Sequence, residues 1–166
     1  MLDRDGVINR KAQEGDYVKN WGEFRFLPGA IEAIRLLTQN GYDLYVITNQ
    51  RGIARGLMSE ADLKVIHEKM KDALSKKGGA IKEIYYCPHG EGEDCDCRKP
   101  RPGMLLRAAS EHNFDLTGAV FIGDDQRDME AGTAAGCKVI MVEPGKGLLE
   151  VVRVLLEPAF RKGGST

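Results

Sequence analysis

Helix-like and strand-like segments alternate along this chain, whose 166 residues fit one domain, residues 1–166. Strands are predicted at 43–48, 81–86, 119–122 and 138–142, and the first of them has the apolar character of a buried strand. Helical periodicity with start and stop residues predicts helices at about 28–39, 59–76, 103–112, 128–135 and 148–156, and residues 162–166 are expected to fray. This alternation predicts an α/β fold, a Rossmann-like parallel sheet with helices on both faces.

Two aspartates one residue apart stand at the start of the chain, in Asp3-Arg4-Asp5-Gly6. Asp3 can present a carboxylate to a phosphorus atom, Asp5 can reach a leaving-group oxygen, and Gly6 lets the backbone turn tightly. A strand of about five residues should lead into this loop, and only two residues precede Asp3. We therefore expect a truncated first strand, which would cost its neighbours their pairing and Asp3 its rigid platform.

Other chemical groups follow the predicted strands. Thr48 ends one strand, Asp124 and Asp125 end another, and Lys99 precedes a helix. In parallel sheets ligands bind beyond the carboxyl ends of the strands, so these groups should meet Asp3 there. Carboxylates, a hydroxyl and an ammonium suit phosphoryl transfer, where positioning and charge neutralisation do most of the catalysis. Each residue alone has an ordinary interpretation, such as a turn, a helix cap or a solvated charge, and their agreement favours a site.

Four segments together resemble the motifs of the haloacid dehalogenase superfamily of phosphatases. They are residues 3–6, 47–50, 98–100 and 123–125, and the resemblance runs from residue 3 to about residue 142. Within the superfamily the chain is most similar to the heptose 1,7-bisphosphate phosphatases, with the histidinol-phosphatases as near relatives. The stretches 48–56 and 95–106 carry that finer similarity.

The resemblance implies a role for each motif. Asp3 would attack phosphorus and form an aspartyl-phosphate, while Asp5 would protonate the leaving oxygen and later accept a proton from water. Thr48 and Lys99 would bind phosphoryl oxygens. The carboxylates of Asp3 and Asp124 and the backbone carbonyl of Asp5 would hold Mg²⁺, a hard cation that prefers oxygen ligands.

Substrate contacts are expected from polar residues around these motifs. Arginine fits phosphate through a paired fork, which favours Arg51 and Arg55 beside the Thr48 strand end. The resemblance adds Arg98 as a substrate-recognition residue. The rest of the expected substrate-binding set is Asn49, Gln50 and Asp125.

Asp125 departs from the family pattern, in which a lysine follows the metal-binding aspartate. Its acid could contact substrate, orient metal-bound water or cap a helix. The intervals between the motifs are filled by the predicted elements, so we expect no large cap domain. Segment 10–26, including Lys11, Asp16 and Tyr17, would then shape the entrance together with the cysteine loop.

Three cysteines and a histidine cluster in the polar loop after the second strand. Cys87, His89, Cys95 and Cys97 form a Cys₃His set for tetrahedral Zn²⁺, and four protein ligands indicate a structural zinc-stabilised loop. The resembled family has a zinc loop here. The alternatives are a surface loop with free thiols or a Cys95–Cys97 disulfide. Zinc would fix the backbone that aims Lys99, two residues after Cys97.

The net charge and the lack of long apolar runs argue against two classes of function. A formal net charge of −1 argues against a nucleic-acid partner, and so against a nucleic acid 3′-phosphatase. No apolar run suggests a membrane span or a signal core, so we expect a cytoplasmic monomer acting on a small phosphorylated sugar. The leading hypothesis is Mg²⁺-dependent removal of the 7-phosphate of D-glycero-D-manno-heptose 1,7-bisphosphate. The alternatives are histidinol-phosphate hydrolysis and a non-catalytic zinc-stabilised phosphate-binding domain.

Overall fold

The computed structural model describes residues 1–157. The expected frayed end, 162–166, lies outside the described residues. In chain order the elements are α1 (Ala30–Gln39), β1 (Tyr45–Asn49), α2 (Glu60–Ser75), β2 (Glu83–Cys87), α3 (Gly103–His112), a 3₁₀ turn (Leu116–Gly118), β3 (Val120–Gly123), α4 (Gln126–Ala135), β4 (Lys138–Met141) and α5 (Leu148–Leu156). No helix among residues 1–157 has the length and apolar character needed to cross a membrane.

A short first strand joins two parallel pairs into one sheet. β1 pairs with β2, β3 pairs with β4, and Leu2 bridges Val46 and Ile122 in parallel, giving the order β2-β1-residues 1–3-β3-β4. The Leu2 amide donates to the Tyr45 carbonyl at 2.8 Å and the Asp3 amide to the Ile122 carbonyl at 2.9 Å. The prediction that the neighbouring strands would lose their pairing is therefore wrong, because two residues suffice to bridge both.

Apolar side chains alternate between the two faces of the sheet. Val46 and Ile122 point to a cluster shared with α1, α2 and α5, whereas Ile47 and Phe121 point to a second cluster shared with α3 and α4. Successive strand residues face opposite sides. In a sheet covered by helices on both faces, each strand therefore has a nearly continuous apolar sequence. The predicted α/β architecture is confirmed.

Local capping chemistry sets the helix starts. Ser59 caps α2 in a capping box with Asp62, as the sequence suggests, and each side chain bonds the other residue's amide. The helix α4 begins at Gln126, two residues before the predicted start, because Asp125 and Asp128 form a second capping box. Segment 10–26 has no helix, and Trp21, Phe24 and Phe26 anchor it through stacked and edge-on ring contacts.

Candidate active site

The carboxyl end of the short first strand carries a buried ion-pair chain. Lys99 Nζ lies 2.8 Å from Asp3 Oδ1 and 2.6 Å from Asp128 Oδ1, and it also donates to the Ile47 carbonyl at 2.9 Å. All three charged side chains are buried. The structure thus brings the predicted Asp3 and Lys99 together, as the convergence of parallel strand ends requires.

Lys99 is fixed at its backbone as well as its ammonium. The Asn49 side chain donates to the Lys99 carbonyl and accepts from the Lys99 amide, both at 3.1 Å. Burial alone would lower the pKa of Lys99, but the carboxylates of Asp3 and Asp128 raise it above its ordinary value. The group is therefore an ammonium at neutral pH, positioned to bind anionic oxygens.

The Asp3 carboxyl is held in a much less polar environment than water. Burial raises the pKa of Asp3 to about 7, and the nearby Lys99 ammonium opposes that rise. The Arg4 amide donates to Asp3 Oδ1 at 2.8 Å, which fixes the orientation of the carboxyl. A cation bound beside Asp3 would favour its ionised form, the form that a nucleophile needs.

Asp5 sits in a clamp of donors. Arg4 Nη2 lies 2.9 Å from both Asp5 oxygens, while Asn9 donates to Oδ1 at 2.8 Å and Gln50 to Oδ2 at 2.9 Å. Burial alone would raise the pKa of Asp5, but the Arg4 charge and these hydrogen bonds hold it below its usual value. Gln50 Nε2 also lies 2.9 Å from Thr48 Oγ1, so it links Thr48 to Asp5.

Three carboxylates could hold a metal ion at this edge of the sheet. One oxygen each from Asp3, Asp124 and Asp128 lie within 4.8 Å of one another. Within residues 1–157 Asp124 Oδ1 is buried without a hydrogen-bond partner, and its Oδ2 lies 2.6 Å from Lys11 Nζ. Hard oxygen donors and an unsatisfied carboxylate oxygen fit Mg²⁺. Gly6, at φ 96°, permits this approach, because a Cβ there would overlap the Asp124 carboxylate.

Asp128 is a site residue that the sequence analysis missed. Its Oδ2 accepts from the amides of Asp124 and Asp125, each at 3.1 Å, while Oδ1 faces Lys99. An acid four residues after Asp124, at the start of a helix, was the available signal, since a side chain at that position reaches back over the helix N-terminus.

Asp125 is the N-cap of α4. Its Oδ1 accepts from the Arg127 amide at 3.0 Å, and its carboxylate pairs with the Arg127 guanidinium at 2.9 Å. The hydrogen bonds from Arg127 hold the pKa of Asp125 well below its usual range. The capping alternative is therefore confirmed, and a substrate contact through Asp125 stays a prediction.

Two neighbouring cavities open at the site. One, of about 100 Å³, is lined by catalytic candidates including Asp3, Asp5, Thr48 and Lys99. The second, of about 280 Å³, lies between Asp5 and segment 10–18. Lys11 and Arg127, which lie outside the predicted substrate-binding set, line both cavities together with Asn49.

The three arginines expected at the substrate lie outside these two linings. Arg51 and Arg98 both face Glu91 of the cysteine loop, at 2.5 and 3.5 Å, and Arg98 also donates to the His89 carbonyl at 3.2 Å. Arg55 donates to the Gly15 carbonyl at 2.9 Å, and its guanidinium lies over the Tyr17 ring. Arg51 and Arg98 form one basic group around Glu91, and Arg55 is directed toward segment 10–26.

The cysteine loop gathers its four expected ligands. Cys97 Sγ lies 2.9 Å from Cys87 Sγ and 3.2 Å from His89 Nδ1, and Cys87 Sγ lies 3.8 Å from Cys95 Sγ. The four ligand atoms fall within 4.8 Å of one another, and none of the cysteines is in a disulfide. A Cys₃His set at this spacing suits tetrahedral zinc, and the Cys95–Cys97 disulfide is absent from these described residues.

Comparison with known proteins gives the family. The HAD-hydrolase-like family model matches residues 96–159. The D-glycero-beta-D-manno-heptose-1,7-bisphosphate 7-phosphatase of Pseudomonas aeruginosa is 44% identical over 158 residues, covering 95% of this chain and 85% of that protein. The crystal structure of D,D-heptose 1,7-bisphosphate phosphatase from B. bronchiseptica, complexed with magnesium and phosphate, matches with a TM-score of 0.86 at 39% identity, covering 93% of this chain and 96% of that one. The D,D-heptose 1,7-bisphosphate phosphatase structure from Burkholderia thailandensis matches with a TM-score of 0.63 at 32% identity, covering 92% and 81%. The chain belongs to the haloacid dehalogenase-like hydrolases, within the family of the heptose-bisphosphate phosphatases.

Proposed function

We propose that the chain is a Mg²⁺-dependent phosphatase that removes the 7-phosphate of D-glycero-β-D-manno-heptose 1,7-bisphosphate. The observation that carries this proposal is the buried chain Asp3–Lys99–Asp128 beside Asp124, which pairs a nucleophilic carboxylate with an ammonium and further acids. The substrate follows from the names of relatives that match nearly the whole chain.

The reaction divides into two displacements at phosphorus. In the first, an Asp3 oxygen forms a bond to phosphorus, the bond from phosphorus to the sugar oxygen breaks, and Asp5 gives that oxygen a proton. In the second, water attacks phosphorus, Asp5 takes a proton from the water, and the bond to Asp3 breaks. The Lys99 ammonium and the Thr48 hydroxyl bind phosphoryl oxygens throughout.

The Asp5 clamp favours the second step over the first. Because donors hold the pKa of Asp5 low, its carboxylate is ready to accept the water proton. A bound phosphate group adds negative charge nearby, which raises the pKa of Asp5, so that Asp5 takes up a proton from solvent and donates it in the first step.

The three-acid group is the proposed magnesium site. Asp3, Asp124 and Asp128, with the Asp5 carbonyl, would hold the ion, which offsets the repulsion between the Asp3 carboxylate and the incoming phosphate. Lys11 Nζ, which lies 2.6 Å from Asp124 Oδ2, places a positive charge at the same edge of the cavity. This charge balance suits a phosphate monoester dianion.

Substrate choice is tested by following phosphate release. We expect release from the heptose bisphosphate with Mg²⁺, none without added Mg²⁺, and a ³¹P signal of the 1-phosphate retained in the product. Histidinol phosphate is the matched comparison, and we expect its kcat/KM to be at least tenfold lower. Faster hydrolysis of histidinol phosphate would assign the chain to that activity instead, and no turnover of either ester would favour the non-catalytic binding domain.

We further propose that Cys87, His89, Cys95 and Cys97 hold one structural zinc ion. Metal analysis of the purified protein should give one zinc per chain, and Cys97→Ser should lose it. Loss of a tightly bound metal is expected to lower Tm by roughly 10 °C and to reduce turnover, because the loop leads directly into Lys99.

Cys137→Ser is the matched control for the zinc prediction, because Cys137 lies outside the metal-capable group. It should keep zinc and change Tm by only a few degrees. A full complement of zinc in Cys97→Ser, or an equal loss in Cys137→Ser, would contradict the assignment of the four ligands.

A further inference from the structure

The residue between the two catalytic candidates is buried. Arg4 is 1% exposed and heads the large side chains that are completely enclosed. Its Nη2 contacts both Asp5 oxygens at 2.9 Å and Gln50 Oε1 at 3.3 Å, while its Nη1 lies 3.2 Å from His67 Nε2 on α2. A buried guanidinium is costly unless paired, so the position of Arg4 depends on these partners.

The Arg4–His67 contact fixes the proton on the imidazole. Arginine has donors and no acceptor, so His67 Nε2 must accept and the ring proton must be on Nδ1. Burial first, and then the Arg4 charge, lowers the pKa of His67 to about 3, which agrees with a neutral ring at neutral pH. His67 is 8% exposed, and Tyr86 packs edge-on against it with ring centroids 6.1 Å apart.

The two terminal nitrogens of the Arg4 guanidinium thus contact different groups. Nη1 is anchored to a helix on one face of the sheet, whereas Nη2 faces the oxygens of Asp5 and Gln50. Gln50 in turn donates to Asp5 Oδ2 and to Thr48 Oγ1, each at 2.9 Å. A rotation of Arg4 would therefore disturb the carboxylate and the hydroxyl together.

We propose that His67 is a positioning residue for Asp5, acting through Arg4. The inference rests on the proposed function, in which Asp5 carries the proton. Without an acceptor at residue 67, Arg4 Nη1 would join Nε as a second buried donor with no partner among residues 1–157, and we expect the guanidinium to shift toward another acceptor. That movement draws Nη2 away from Asp5, and displacement of a catalytic group by about 1 Å costs on the order of 10²-fold in rate.

Three variants separate positioning from structure. His67→Phe keeps a buried ring and removes the acceptor, and we expect kcat to fall roughly 10- to 100-fold with KM little changed. His67→Gln restores an acceptor oxygen and should recover most of the rate. Met70→Ala, one turn along α2 and without a hydrogen bond to the site, should lower Tm yet leave kcat within about twofold.

A ¹⁵N NMR spectrum of the wild-type protein tests the contact without any variant. We expect His67 to be neutral at pH 7 with its proton on Nδ1 and no titration between pH 5 and 8. A proton on Nε2, or a charged ring, would overturn the proposal, as would an unchanged kcat in His67→Phe. Para-nitrophenyl phosphate serves as a second ester, so that failure on heptose bisphosphate alone counts against the substrate and not against His67.

Discussion

Asp3→Asn is expected to abolish phosphate release, lowering kcat by roughly 10⁴- to 10⁶-fold. An amide cannot form the acyl-phosphate, and water alone must then reach phosphorus. The fold should survive, because Lys99 keeps Asp128 at 2.6 Å and the Ile47 carbonyl at 2.9 Å. An amide oxygen can also still accept from Lys99. Phosphate release from the heptose bisphosphate and Tm together measure the two effects.

Asp72→Asn is the control for that substitution, because Asp72 lies on the solvent-exposed face of α2 and pairs with Lys76 at 2.7 Å. It should retain full activity. Acid quenching of wild-type enzyme with ³²P-labelled substrate should trap label on the protein, and Asp3→Asn should trap none. Activity above about 1% in Asp3→Asn would remove the aspartyl-phosphate from the mechanism.

The sequence predicts the convergence of Asp3, Thr48, Lys99 and Asp124 because all follow parallel strands or precede a helix. Strand ends are readable from apolar runs, and the topology then places them at one edge. The boundaries of α3 and the capping box of α2 are equally local and are confirmed. The pairing of the first strand is not predictable in this way, because Leu2 bonds two strands that are distant in sequence.

Contacts between residues that are distant in sequence could not be predicted from the sequence. No role for Arg4 was evident there, yet its guanidinium contacts Asp5, Gln50 and His67. Asp128 reads as part of a helix, and only the position of Lys99 reveals it as a site residue. Arg51 and Arg98 were predicted at the substrate, but the sequence could not show that Glu91 lies between them. In each case tertiary packing decides the role.

Lys99→Met should be the most destabilising of the site substitutions. It leaves Asp3 and Asp128 buried and facing each other without their shared ammonium, although the unbranched shape of the side chain is kept. Removing one partner of a buried ion pair costs about 3–5 kcal/mol, and we expect that loss in the free energy of unfolding, measured by urea without added Mg²⁺. Lys82→Met, which breaks only the exposed pair with Asp43, should cost less than about 1 kcal/mol.

The loss of unfolding free energy in Lys99→Met should also depend on pH. Burial already raises the pKa of Asp3 to about 7, and losing Lys99 removes a charge that opposes this rise. Between about pH 4 and the raised pKa the folded state binds more protons than the unfolded state, so the stability of the variant falls as pH rises. The free energy of unfolding of Lys99→Met should therefore be closest to that of the wild type near pH 5 and furthest below it at pH 8. A deficit that grows toward low pH would show that the two carboxylates are not coupled to Lys99 as the distances require.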